Sequence, residues 1–237
     1  MLKAVLPAQQ LSVKRSRDPY FMYTAAGREG ELLPDGASPT EVESMLCAEF
    51  MDALSRSTPP YLYFTSPVDE LDRSGSLGSR APGWMKLASH STASSDHASL
   101  ACRPWLQLWA GSSGACTQAH YDVADNVFVQ VHGVKEFLLY PPSASAALHL
   151  FPDAHPRARK AQVCLEHPDL AAYPLAATLQ PPLRATLQPG DALFVPAFTI
   201  HHVTAHTPSI SLNVFSESAT KLAASEVRAY ICMHTYP

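Results

Sequence analysis

Charge is scarce in this 237-residue chain. Asp, Glu, Lys and Arg together make up 16% of it, against about 25% in an average soluble domain. The net charge is -4 with neutral histidines, so no global basic field draws in nucleic acid or an anionic membrane. Cysteine is sparse and scattered, at Cys47, Cys102, Cys116, Cys164 and Cys232. The odd number and the lack of any C-x-x-C argue against a disulfide framework and against a cysteine zinc site. Reduced thiols are the expectation. No apolar run reaches the ~18 residues of a membrane span, and the first seven residues are too short for a signal-peptide core. These absences predict an intracellular protein, cytoplasmic or nuclear, with no membrane partner; Arg15 and Arg17 give only a weak hint of organelle targeting. No internal repeat is visible. Gly111-Ser-Ser-Gly114 lacks the spacing of a nucleophile elbow and reads as a turn.

What is present is apolar. Hydrophobic residues make up 46% of the chain, enough to bury the core of one large domain. Residues 1–60 read as a lead-in with one helix, 61–218 as the core, and 219–237 as a helical tail. In the lead-in, Tyr20 to Tyr23 is a strand candidate. Ser38, Pro39 and Glu41 make a helix start, and Val42, Leu46, Phe50 and Leu54 follow at near-helical spacing. Residues 61–65 read as a strand, and the Ser-rich residues 66–101 as a flexible loop. Beyond it strands are predicted at 106–110, 118–131, 135–140, 183–187, 192–195, 201–205 and 210–215. The proline-punctuated residues 143–182 carry one or two helical turns, Pro168-Asp-Leu-Ala-Ala among them. Many short strands with regular turns predict a mainly β fold, a barrel or a double-sheet jelly roll.

In a strand, residues i and i+2 share a face. His120 and Asp122 therefore point the same way, and continued alternation adds Asn126 and Gln130 to their side. One histidine and one carboxylate are two members of the facial triad that holds non-haem Fe(II) with open positions. His201 or His202, at the mouth of an apolar strand, completes it. The competing reading is a pair of hydrogen-bonded histidines at strand ends; two such clusters in one β-rich chain favour the metal. Lys135 shares a face with Phe137 and Leu139. If that face is the core, its ammonium needs an anion, and a dicarboxylate would serve. If the face is solvated, Glu136 points inward instead. Arg157, Arg159 and Lys160 form a basic cluster, either a solvated loop or a substrate contact.

His120-Tyr-Asp122, Gly133-x-Lys135, Tyr140-Pro-Pro142, Asp169-Leu-Ala-Ala-Tyr-Pro174, Pro189-Gly-Asp-Ala-Leu-Phe-Val-Pro196, His201 and Leu212-Asn-Val-Phe215 occur in the order seen in JmjC-type cupin oxygenases. The resemblance covers roughly residues 61–218. It implies a double-stranded β-helix, the jelly-roll or cupin fold, using Fe(II), 2-oxoglutarate and O2. Residues 120–126 and 169–175 are similar to the tRNA wybutosine hydroxylase branch. Thr117, Gln162-Val163 and the paired His201 and His202 resemble the asparaginyl hydroxylase branch of hypoxia-inducible factor. Carried over by position, His120, Asp122 and His201 match the iron ligands, and His202 a non-ligand position. Lys135 matches the partner of the distal carboxylate of 2-oxoglutarate, with Thr117 and Tyr63 as further contacts, and Tyr61 lies on the same face as Tyr63. Asn126 and Asn213 match polar residues lining the cosubstrate pocket.

The resemblance implies a hydroxylase acting on a protein side chain. The alternatives are a hypermodified, wybutosine-type tRNA base as substrate, or a non-catalytic cupin module that binds a partner. Both branches carry helical extensions used for dimerisation or substrate binding. Here such an extension is either missing or represented only by residues 218–230, so the oligomeric state stays open.

Overall fold

The computed structural model describes residues 8–21, 40–55, 59–71 and 105–217. The helix expected in the lead-in begins later than its apolar spacing suggests. Glu41–Leu46 is a strand, β3, and the helix α1 spans Cys47–Leu54. The competing force is long-range pairing. Gln10–Ser16 forms β1 and runs antiparallel to β3, with Ser44 Oγ donating to Gln10 Oε1 at 3.0 Å and Arg15 paired to Glu43 at 3.3 Å. Val42 is left 67% exposed, so it never belonged to the buried stripe. The Glu49 carboxylate accepts the Leu46 N–H at 3.0 Å and so caps the first turn of α1. Ser38 and Pro39 lie outside the described residues.

The strand expected at residues 20–23 is the two-residue β2, Tyr20–Phe21. Tyr61–Pro67 is β4, followed by the short α2, Val68–Leu71. The remainder of the expected loop, residues 72–101, and the tail from residue 218 lie outside the described residues. Next come β5 (Trp105–Gly111), β6 (Cys116–His120), β7 (Ala124–His132) and β8 (Lys135–Tyr140). Two 3-10 turns follow, Pro142–Ser145 and Pro174–Thr178. Then come β9 (Leu183–Leu187), β10 (Ala192–Val195), β11 (Ile200–Ala205) and β12 (Ser209–Glu217). At 169–173, Asp169 closes a single turn: its carbonyl accepts from Tyr173 N–H and its carboxylate from Ala171 and Ala172.

Two sheets form. One has seven strands in the order β10-β7-β12-β5-β4-β1-β3; the other has five, β2-β6-β11-β8-β9. The fold is mainly β, as expected. One face of the larger sheet, with Leu62, Phe64, Leu108, Ala110, Ile210 and Leu212, packs on α1 through Cys47, Phe50 and Leu54. Its other face turns toward the smaller sheet, where Phe128 from β7 meets Phe137 and Val203 from β8 and β11. The outer face of the smaller sheet is covered by the segment after β8, through Leu148 and Ala161 against Ala119, Tyr140 and Ile200.

The single strand expected at 118–131 is two strands, in different sheets. The chain leaves the smaller sheet after His120 and enters the larger one at Ala124. Alternation therefore does not run unbroken through Asp122. Asn126, Phe128 and Gln130 are nonetheless buried, because the crossover delivers β7 with those residues turned toward the gap between the sheets. The β7–β8 turn rests on Gly133 at φ 72°, a conformation favouring glycine. A Cβ there would also clash with the Pro208 carbonyl oxygen.

Candidate functional site

The site is built where β6 and β11 pair. Their antiparallel register sets His201 opposite His120 and Val203 opposite Thr117, with one irregular step between. The irregularity falls in β6 and lets both Thr117 and His120 face inward although they lie three residues apart. The two imidazoles stand 4.3 Å apart between ring centroids. Asp122 sits just past the strand end, its carboxylate oxygen 3.7 Å from His201 Nε2. One ligand atom from each of His120, Asp122 and His201 lies within 4.8 Å of the others.

The backbone sets which ring nitrogens face that point. His120 Nδ1 donates to the Gln118 carbonyl at 2.8 Å, and His201 Nδ1 to the Thr199 carbonyl at 3.0 Å. A carbonyl can only accept, so each neutral ring carries its proton on Nδ1 and presents a bare Nε2. A backbone acceptor on Nδ1 fixes the ring and leaves Nε2 free for a metal. Burial, and then the neighbouring His201, push the His120 pKa well below the usual imidazole range, which favours the neutral ring. Of the two alternatives at the β11 mouth, His201 joins His120 and Asp122. His202 points to the opposite face of the strand, with Cys116 and Glu166.

The rim has a further fastening that the sequence did not show. Phe198 N–H donates to the Asp122 carbonyl at 2.8 Å. The Asp125 carboxylate accepts the Ala197 N–H at 2.8 Å. Asp125, an acid without an evident role in the pattern, ties the β6–β7 crossover to the turn before β11.

Behind the triad, a cavity of about 300 Å³ lies between the sheets. Thr117, Lys135, Tyr63, Asn126 and Asn213 all line it together with the triad. Lys135 is 4% exposed. Its ammonium donates to Ser211 Oγ at 2.9 Å and lies 5.1 Å from the Phe128 ring centroid. Burial lowers its pKa to about 7 from 10.5. Glu136 instead faces outward and pairs with Arg184 at 2.6 Å, which settles that alternation in favour of a buried lysine. The Tyr63 hydroxyl is 3.4 Å from Thr117 Oγ1, and its ring stacks on Phe21 at 5.1 Å. Gly111 makes room for it: a Cβ there would meet Tyr63 Cδ2 at 2.8 Å. Tyr61 lies instead against Gly114.

Gln107 and Trp109, from β5, line the same cavity and were not singled out from sequence. Alternation could have found them: they share one face of β5, and the register sets Gln107 opposite Asn213. Asn126 Oδ1, Asn213 Oδ1 and Trp109 Nε1 are buried without a hydrogen-bond partner among the described residues. Buried polar atoms are ordinarily satisfied. Around one cavity, the buried Lys135 ammonium and the Trp109 indole N–H are donors that suit a small anion, and the two asparagines can offer it their NH2 groups. A second cleft, of about 170 Å³, opens beside His120 and Asp122 and is walled by Arg159 and Lys160. Burial, Arg159 and Arg157 together lower the Lys160 pKa to about 8. The third basic residue, Arg157, is buried, with its guanidinium 5.7 Å from the Phe151 ring.

A two-sheet β core with its polar cavity between the sheets is joined by a direct match to a family model, the cupin-like domain, over residues 22–221. The chain belongs to the cupin-like domain family. Over 114 residues it is 33% identical to a lysine-specific demethylase, JMJ31, of Arabidopsis thaliana, covering 48% of this chain and 21% of that protein. Over 113 residues it is 34% identical to the tRNA wybutosine-synthesizing protein 5 of Homo sapiens, covering 47% and 31%. Over 127 residues it is 30% identical to the human bifunctional peptidase and (3S)-lysyl hydroxylase JMJD7, covering 46% and 40%. The matched segment thus spans less than half the length of each of these relatives. Among solved structures, KdgF from Halomonas sp. is similar at 17% identity and a TM-score of 0.29, over 50% of this chain and 74% of that one. No helix among the described residues is long and apolar enough to cross a membrane.

Proposed function

We propose that this cupin-like chain is an Fe(II)- and 2-oxoglutarate-dependent dioxygenase that hydroxylates a macromolecular substrate. The observation that carries the reading is a conjunction. Ligand atoms of His120, Asp122 and His201 converge within 4.8 Å, and the cavity they border contains a buried lysine and three unpartnered polar atoms. Two neutral imidazoles and one carboxylate are the donor set of a 2-His-1-carboxylate iron site. Iron and 2-oxoglutarate, when bound, supply the oxidising chemistry that inserts one atom of O2 into a C–H bond.

The residues of the chain hold and orient. His120, Asp122 and His201 would ligate the metal through Nε2, a carboxylate oxygen and Nε2. Lys135 would take a proton and pair with the far carboxylate of 2-oxoglutarate, with the Thr117 and Tyr63 hydroxyls donating beside it. Asn126 and Asn213 would turn their amides to the same guest. Phe128, Phe137 and Val203 would exclude water from it.

A protein side chain is the substrate we propose, in line with a relative named as a lysyl hydroxylase. One observation favours a second reading, a tRNA base: Arg159 and Lys160 wall the cleft beside His120 and Asp122, where they would meet phosphate. Incubation with Fe(II), 2-oxoglutarate and cell extract tests both. We expect succinate release and products heavier by one oxygen atom, in protein digests for the first reading and tRNA digests for the second. The same products from the His120→Ala variant would sink the mechanism.

A further inference from the structure

The outer face of the β6–β11 pair carries a second cluster. Cys116 from β6 and His202 from β11 are buried there, and Glu166 reaches them from the segment covering the sheet. Cys116 Sγ lies 3.3 Å from His202 Nε2, and that nitrogen 2.9 Å from Glu166 Oε1. The Cys116 Sγ to Glu166 Oε1 distance is 4.0 Å. Cys164 Sγ stands 3.5 Å from the other Glu166 oxygen and 3.9 Å from the Tyr20 hydroxyl.

Tetrahedral zinc has bond lengths of about 2.3 Å to thiolate and about 2.0 Å to imidazole and carboxylate. Those lengths separate the ligand atoms by about 3.3 Å for N and O, and about 3.6 Å for S with either. The three distances found here depart from that figure by a few tenths of an ångström. Soft sulfur with imidazole and one carboxylate is a donor set for zinc.

We propose that Cys116, Cys164, Glu166 and His202 form a second metal site, for zinc(II), on the face of the sheet opposite the triad. Cys116, Glu166 and His202 are already gathered within 4.8 Å; Cys164 lies outside that group, against the other Glu166 oxygen, and supplies the fourth ligand by turning its side chain toward the metal. Binding displaces the thiol protons to solvent, the proton that His202 Nε2 shares with Glu166 moves to Nδ1 or to solvent, and no electron is transferred. The site would pin the covering segment to the two strands that carry His120 and His201.

The test is made on the full chain with the inner site removed by His120→Ala and Asp122→Ala. Zinc is added at one equivalent, and the metal retained after gel filtration is measured by atomic emission. We expect about one zinc per chain, falling at least tenfold when Cys116→Ser is added. Cobalt(II) in place of zinc should give a thiolate-to-cobalt charge-transfer band with tetrahedral d–d bands. Cys116→Ser should remove most of the charge-transfer band and Cys164→Ser about half of it. No zinc retained, no thiolate band, or a band that neither serine variant changes would each overturn the proposal. The half-exposed Cys164 position keeps the test decisive should Cys116→Ser fail to fold.

Discussion

The two faces of the β6–β11 pair carry similar residues in opposite states. On the inner face, backbone carbonyls hold the His120 and His201 rings by Nδ1, and their Nε2 atoms make no hydrogen bond among the described residues. On the outer face, His202 and Glu166 bond directly at 2.9 Å, and two thiols crowd the carboxylate. The inner cluster is oriented from outside itself; the outer cluster is oriented by its own members. On the proposed function, removing an inner group should have little structural effect and a large functional one. The outer group is part of what covers the sheet, so its loss is felt in stability. One strand thus serves two purposes because neighbouring residues point to opposite faces.

The sharpest way to break that comparison is at the inner triad. His201→Ala should lower 2-oxoglutarate turnover by more than the roughly 10–100-fold typical of losing a group that only orients a metal ligand, while thermal unfolding moves by only a few degrees; a large loss of Tm with retained turnover would reverse the assignment. Second comes Lys135→Met. Removing one partner of a buried charge pair should weaken 2-oxoglutarate binding by about 2–5 kcal/mol, read by titration calorimetry. Without cosubstrate, the same change should leave stability equal or higher, since it removes a buried cation.

The pH dependence of Lys135 sharpens this. Its folded pKa is lowered to about 7 against 10.5 for the exposed group. Between those values the unfolded chain holds more protons, so the stability of the ligand-free protein should rise with pH across that window. Binding an anion needs the proton back, so 2-oxoglutarate affinity should weaken as pH climbs above about 7. Urea melts and titrations from pH 6.5 to 9 would check both, with Lys135→Met flat in each. Next is Gly111→Ala, whose Cβ would meet the Tyr63 ring at 2.8 Å. Overpacking costs about 1–3 kcal/mol, and displacing that hydroxyl should raise the KM for 2-oxoglutarate several-fold with kcat nearly unchanged. The smallest effect belongs to the exposed Arg184–Glu136 pair: Arg184→Ala should change stability by under about 1 kcal/mol and leave turnover intact.

The β core could be read in the sequence because its strands alternate and its turns are marked by Gly and Pro. The inner cluster could be read because His120 and Asp122 are neighbours and the order of surrounding motifs is specific. Residues 41–46 misled because Val42 and Leu46 happen to fall at helical spacing while long-range pairing with β1 decides the conformation. The break at residues 121–123 was hidden because a crossover between sheets preserves the polar-apolar pattern on either side of it. The outer cluster could not be read at all. Its members sit at positions 116, 164, 166 and 202, with no C-x-x-C spacing to announce them. Only the pairing of β6 with β11, and the segment laid over both, brings them together.

The Asp125 and Phe198 bonds join two stretches of chain more than 70 residues apart into one stiff lintel over the inner cavity. Swinging either stretch outward breaks both hydrogen bonds. On the proposed function, a substrate would pass this rim by a narrow projecting part, a single side chain or an unstacked base, with its bulk left outside.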